Sequence, residues 1–137
     1  MSSKDQLVDL LNAALAWELR AQNMYAHYAA YVTGFTRLHL RPYFAGEATE
    51  SMTHAAQVRD AIMKLGGQAV TVPADVEILH TDDYRKMLEE ALATEIRAGA
   101  LYREVRSELD PDDELADVIQ QIMFAEERAV DELKKLL

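Results

Sequence analysis

Glu18, Glu47, His54, Glu95 and Glu126 fall on positions that helical spacing assigns to the inward side of four long amphipathic segments. Around the stretch GEATESMTHAAQV (46–58) the apolar period runs through Leu40, Phe44, Ser51, Val58, Ile62 and Leu65, and Glu47 and His54 share that face. A buried ionised carboxylate without a partner costs many kcal/mol, so a cluster of them survives in a core only when protons, a base or a metal neutralise it. Carboxylates with imidazole suit iron, manganese or zinc, and the set does not choose among them. Glu18, Glu95 and Glu126 interrupt the other three stripes, each at mid-helix, so all four segments can present an acid or imidazole at one level.

Positioning them requires long helices. Ser3 and Gln6 have capping-box spacing, and Leu7, Leu11, Ala14, Leu15, Tyr25 and Ala29 make one face of a first helix that runs to about Thr33 and closes at Gly34. The second helix is expected from Thr36 to Leu65, with Pro42 in its first turns or at a kink, and Gly66-Gly67 as its stop. Thr81 or Asp82 caps the third, whose stripe is Leu88, Leu92, Ala98, Tyr102, Val105 and Leu109. Asp110-Pro111 supplies a cap and a first-turn proline for the fourth, with Leu115, Ile119, Ile122, Val130, Leu133 and Leu137 facing inward.

Between the second and third helices, GGQAVTVPADVEILH (66–80) has no helical period and reads as an extended connection. Its residues reach roughly 50 Å at about 3.3 Å each, the length of a ~30-residue helix at 1.5 Å per residue. The expected fold is therefore all-α: an antiparallel four-helix bundle with one long crossover between the second and third helices, formed by residues 1–137 as one domain.

Composition narrows the function. No cysteine is present, which excludes disulfides and thiolate metal sites and fits a cytoplasmic protein. The N-terminus lacks a signal-peptide pattern, and no stretch approaches the ~20 apolar residues of a membrane span. A formal charge of −10 without a basic cluster argues against nucleic acid and favours cations. No phosphate-loop spacing of glycines occurs, and Ser51-x-x-His54 lacks the elbow and orienting acid of a hydrolase. His27, His39 and His80 have no ligand-spaced partners and are expected in solvated or interface roles, and Trp17 in helix packing.

The segments LNAALAWELRAQNMYAHY, ESMTHA, LGGQAVTVP, TEIRAG and AEERAVDEL, in this order, resemble the bacterioferritins of the ferritin-like, carboxylate-bridged di-iron superfamily over essentially the whole chain. The resemblance implies iron binding in the bundle core and ferroxidase activity, oxidation of Fe(II) by dioxygen or peroxide. It places Glu18, His54, Glu95 and Glu126 at ligand positions, Tyr25 beside the metals, and Glu47 at a further acidic position on the iron's route. Met52, turned to the outer face, matches the methionine that holds haem across a two-fold axis, with Leu19 and Asn23 around it.

Two positions depart from the pattern. Ser51 stands where the family has a bridging glutamate, and Ala129 where it has the second metal's histidine. Four carboxylates balance two divalent ions, whereas the three retained with a neutral imidazole suit one. Glu47, one turn before Ser51, is the residue that can take over as a ligand; Glu50 and Glu127 are expected to be solvated or interface acids. Three readings follow: a ferritin-like iron-binding protein with residual or altered ferroxidase activity; a non-catalytic, degenerate subunit that binds haem or a partner; and a metal-free bundle whose acids are protonated or paired with Arg20 or Arg97. The outer faces of the first two helices, with Leu19, Asn23, Met24 and Met52, suggest a homodimer. Because no fifth helix follows Leu137, a closed ferritin-type shell is the less expected assembly.

Overall fold

The computed structural model describes residues 3–137. Four helices form in the expected order: α1 (Lys4–Tyr31), α2 (Arg37–Lys64), α3 (Tyr84–Ser107) and α4 (Glu114–Leu136). Ser3 and Gln6 close the capping box of α1 reciprocally, as their spacing requires. Gly66, at φ 78°, and Gly67 end α2: the Gly66 N–H donates to Met63 O and the Gly67 N–H to Ile62 O, so two of the last orphan carbonyls are satisfied. A Cβ at Gly67 would lie 2.7 Å from Val8 Cγ1, so close approach of α1 fixes the second glycine.

α2 starts where expected, directly after Thr36, which makes no side-chain cap. Two helix caps differ from expectation. Asp83, rather than Thr81 or Asp82, caps α3 through Arg85 N, while Thr81 Oγ1 accepts from Asp83 N and shapes the approach. Asp113, rather than Asp110, caps α4 through Leu115 N, and Asp110 instead accepts from Asp112 N in the turn before it. In both acidic runs the cap is the acid nearest the first inward residue, because only it brings its oxygen to the free first-turn N–H groups.

The core has two apolar halves. One holds Leu11, Leu15, Val58, Ile62, Tyr102, Val105, Ile119 and Ile122; the other holds Met24, Tyr25, Tyr28, Phe44, Met87, Leu88 and Leu133. Each half takes the start of one helix and the end of its neighbour, so α1 runs antiparallel to α2 and α3 to α4. α1 packs along α2 and against α3, and α3 along α4, whereas α2 and α4 make few contacts. That loosely packed seam lies beside the level where Glu18, Ser51, His54, Glu95 and Glu126, all buried, separate the apolar halves.

The crossover runs the length of α1 and is fastened to it step by step. Asn12 bonds Gln68 O and Val70 N, Ala16 O accepts from Ala74 N, Arg20 donates to Val76 O and Glu77 O, and Tyr28 donates to Leu79 O. Arg20, only 3% exposed, also donates to Thr94 Oγ1 and lies over Trp17. Its donors serve the crossover, so it does not neutralise the core acids. Arg97 is exposed, with its guanidinium 5.9 Å from the centroid of the Trp17 ring. Met24 is fully buried in the core, which removes it from the expected outer surface, whereas Met52 is 54% exposed. No helix of the described residues is long and apolar enough to cross a membrane.

Candidate metal centre

His54 is the hinge of the polar layer. Its Nδ1 lies 3.2 Å from Glu18 Oε2 and 3.1 Å from Glu126 Oε1. Glu18, His54 and Glu126 thus come from α1, α2 and α4, are all buried, and offer ligand atoms within 4.8 Å of one another. Glu95, from α3, completes the layer beside Glu126 and accepts a 2.9 Å hydrogen bond from Tyr25. On the other side Tyr102 donates to Glu18 Oε2 at 2.6 Å. Each of the two carboxylates on α1 and α3 therefore has a buried tyrosine donating to it, and in Glu18 the oxygen that accepts from Tyr102 is the same Oε2 that faces His54.

Burial raises the pKa of every acid here by penalising its ionised form. For Glu18, the hydrogen bonds from His54 and Tyr102 work against that rise. Glu95 is pushed well above the usual carboxylate range by burial and by the adjoining Glu126, so it is the member of that pair that holds a proton. Burial disfavours the charge of His54, but hydrogen bonds to Glu126 and Glu18 outweigh it and carry the imidazole to about 10. With both carboxylates ionised, Glu126 Oε2 would be buried with no hydrogen-bond partner among the described residues; a proton on Glu95 or a cation satisfies it.

The remaining expected residues lie at the α2–α4 seam. A narrow crevice there is walled by Ser51 and Ala129, with Glu47 and Glu50 on its α2 side and Glu95 and Glu126 beyond. Glu47 is half-buried, and burial followed by repulsion from Glu50 and Glu95 lifts it to about 7. It does not join the three-ligand cluster. Glu50 is not simply solvated: its Oε1 stands 3.6 Å from His54 Nε2, one turn along the helix, too long for a hydrogen bond but close enough to bias the ring electrostatically. Tyr102 has a partner that its place on the inward stripe does not reveal. The available sign was its spacing, two turns after Glu95 on the same face of α3.

The ferritin-like domain family model matches residues 8–137, nearly the whole chain. The chain belongs to the ferritin-like family. Among solved structures, this ferritin-like chain is similar to a ferritin-like di-iron carboxylate protein of Bacillus anthracis, at 31% identity and TM-score 0.90, over 100% of this chain and 99% of that one. It is also similar to a dodecameric thioferritin, the bacterioferritin-related protein of Bacteroides fragilis, at 26% identity and TM-score 0.89, over 97% of this chain and 84% of that one. The Rhodobacter capsulatus bacterioferritin, described with a metal-free dinuclear site and a haem iron, aligns at 27% identity and TM-score 0.86, over 98% and 85% of the two chains. No curated protein matches it.

Proposed function

We propose that the chain is a ferritin-like iron-binding protein that takes up one Fe(II) ion at Glu18, His54 and Glu126 and oxidises it with dioxygen or peroxide. The observation that carries this reading is the convergence of three buried ligand atoms within 4.8 Å, each from a different helix. The donor set fits the ion: two carboxylates and an imidazole are the ligand types that iron, manganese and zinc accept. Glu95 becomes a further ligand once it gives up its proton. Because the cluster holds protons on His54 and Glu95 when metal-free, a divalent ion replaces them with little change in net charge, and binding releases protons.

Ser51 and Ala129 leave the second family position without donors, which supports one ion per chain. A single Fe(II) supplies one electron, whereas reduction of hydrogen peroxide to two waters takes two electrons and two protons, so two Fe(II) ions taken up in succession are oxidised per peroxide consumed. Metal analysis after Fe(II) loading and desalting tests the reading. One ion per chain supports it; two ions would show that Glu47 supplies the missing ligation; none would favour a metal-free bundle.

The second reading, a non-catalytic subunit that holds haem between two copies, is supported by the 54% exposure of Met52 on the outer face of α2. A symmetric dimer would bring two thioethers, one from each copy, to a common haem iron. Reconstitution with haem should then give a Soret band that Met52→Leu abolishes, on a species of two chains by light scattering. A band indifferent to that change leaves Met52 as packing.

A further inference from the structure

His27 and His80, 53 residues apart in the sequence, meet on the surface of the bundle with His27 Nε2 2.9 Å from His80 Nδ1. The pair is solvent-exposed, as expected, but sequence spacing gave no sign that the two rings meet. Contacts other than their own bond place both rings. His27 stands on α1, and Tyr31, one turn later, packs against both imidazoles, with ring centroids 4.5 Å from His27 and 4.8 Å from His80. His80 follows Leu79, whose carbonyl is held by Tyr28, and Arg20 fixes the carbonyls of Val76 and Glu77 just before it.

Two imidazoles facing each other this way share one proton, with one nitrogen donating and the other accepting. Once the donor ring moves that proton to its other nitrogen, both facing nitrogens offer lone pairs to a cation. With metal–nitrogen bonds of about 2.0–2.1 Å, two nitrogens on adjacent coordination positions lie roughly 2.9 Å apart at a right angle and roughly 3.4 Å apart at a tetrahedral one. The observed separation is at the short end of that range, and ring centroids 5.1 Å apart set the two nitrogens nearly in line, so each ring swings by roughly 35–45° to bring both lone pairs to one ion. The chain's charge of −10 raises the local concentration of cations.

We propose that His27 and His80 form a second metal site, distinct from the core layer, that takes a divalent transition-metal ion of the imidazole-preferring class, Ni(II), Cu(II) or Zn(II), and clips the crossover to α1. Water fills the remaining positions, since the pair is open to solvent. The site needs neither Glu18 nor His54 and stands whether or not the core binds iron.

The test uses Ni(II) as the probe on the full chain. In calorimetric titrations, His54→Ala carries the background against which the surface pair is read. Adding His80→Ala to it should weaken the remaining Ni(II) binding at least tenfold. His80→Asn, which keeps a hydrogen bond to His27 but ligates metals poorly, should weaken it as much, which separates ligation from folding. With Zn(II) on the unaltered chain, the imidazole NMR signals of His27 and His80 should shift together while exposed His39 does not. Equal Ni(II) affinity with and without His80, or a Zn(II) shift of His39 as large as those of the pair, would overturn the proposal.

Discussion

His54 turns Nδ1 inward, 3.1 Å from Glu126 Oε1, and its other nitrogen outward toward Glu50. A ligating imidazole is commonly oriented by a carboxylate at its second nitrogen, and losing such a partner costs about 10- to 100-fold in affinity. Replacing the ligand itself should cost more. His54→Ala is therefore expected to weaken Fe(II) or Zn(II) binding by more than about 100-fold, and Glu50→Ala, whose carboxylate stands beyond hydrogen-bond distance, by less than about tenfold. Comparable losses in a metal titration would mean that His54 is not the inward ligand.

The 2.6 Å bond from Tyr102 to Glu18 predicts a difference between metal-free and metal-loaded protein. Tyr102→Phe keeps the ring but strips a donor from a carboxylate that is 1% exposed. A hydrogen bond to a charged group is worth about 1.5–3 kcal/mol, so the metal-free form should lose about that much. The metal-loaded form should lose less, because the cation neutralises the same carboxylate. Thermal melts with and without Zn(II) measure this; an equal drop in both would show that the tyrosine acts only through packing.

The crevice at Ser51 and Ala129 predicts a gain of activity. Ser51→Glu with Ala129→His should place a carboxylate and an imidazole on either side of the α2–α4 seam and complete a second site. Rapid-mixing oxidation assays should then show two irons per chain and Fe(II) oxidation at least about tenfold faster than the parent, because a paired site delivers both electrons to one oxidant. A folded double variant that loads two irons without acceleration would sever the link between these positions and oxidation.

Stability of the metal-free protein should fall as pH rises. The folded state raises Glu47 from 4.5 to about 7, so it holds that proton more tightly than the unfolded chain does, and the advantage disappears between those values. His54 is raised from 6.5 to about 10; its contribution is fully present below 6.5 and lost as pH climbs through about 10. Melting temperature measured in chelator should thus decline from about pH 5 to pH 10, and His54→Gln should flatten the part above neutrality. Added metal should reverse the trend, since its ligands must be deprotonated. A chelated protein that grows more stable toward pH 10 would contradict the raised His54.

The sequence by itself determined the four helices, the connection long enough to span them, and the inward placement of Glu18, His54, Glu95 and Glu126. These follow from local physics: a 3.6-residue period fixes where a side chain points around its own helix axis, and glycines such as Gly66 end helices where they stand. Family membership was legible in the same segments. The period says nothing of how far one helix is slid along another. That offset is set by the two apolar halves packing above and below the polar layer, and by the crossover fastened along α1. Only the tertiary structure therefore decided that Glu18 and Glu126 meet at His54 Nδ1, that Glu95 turns to Tyr25 and Tyr102 to Glu18, and that Arg20 is taken by the crossover. The pairing of His27 with His80 lies furthest from sequence reach, because it joins a helix to an aperiodic strand of chain whose path is fixed by backbone carbonyls that every residue carries.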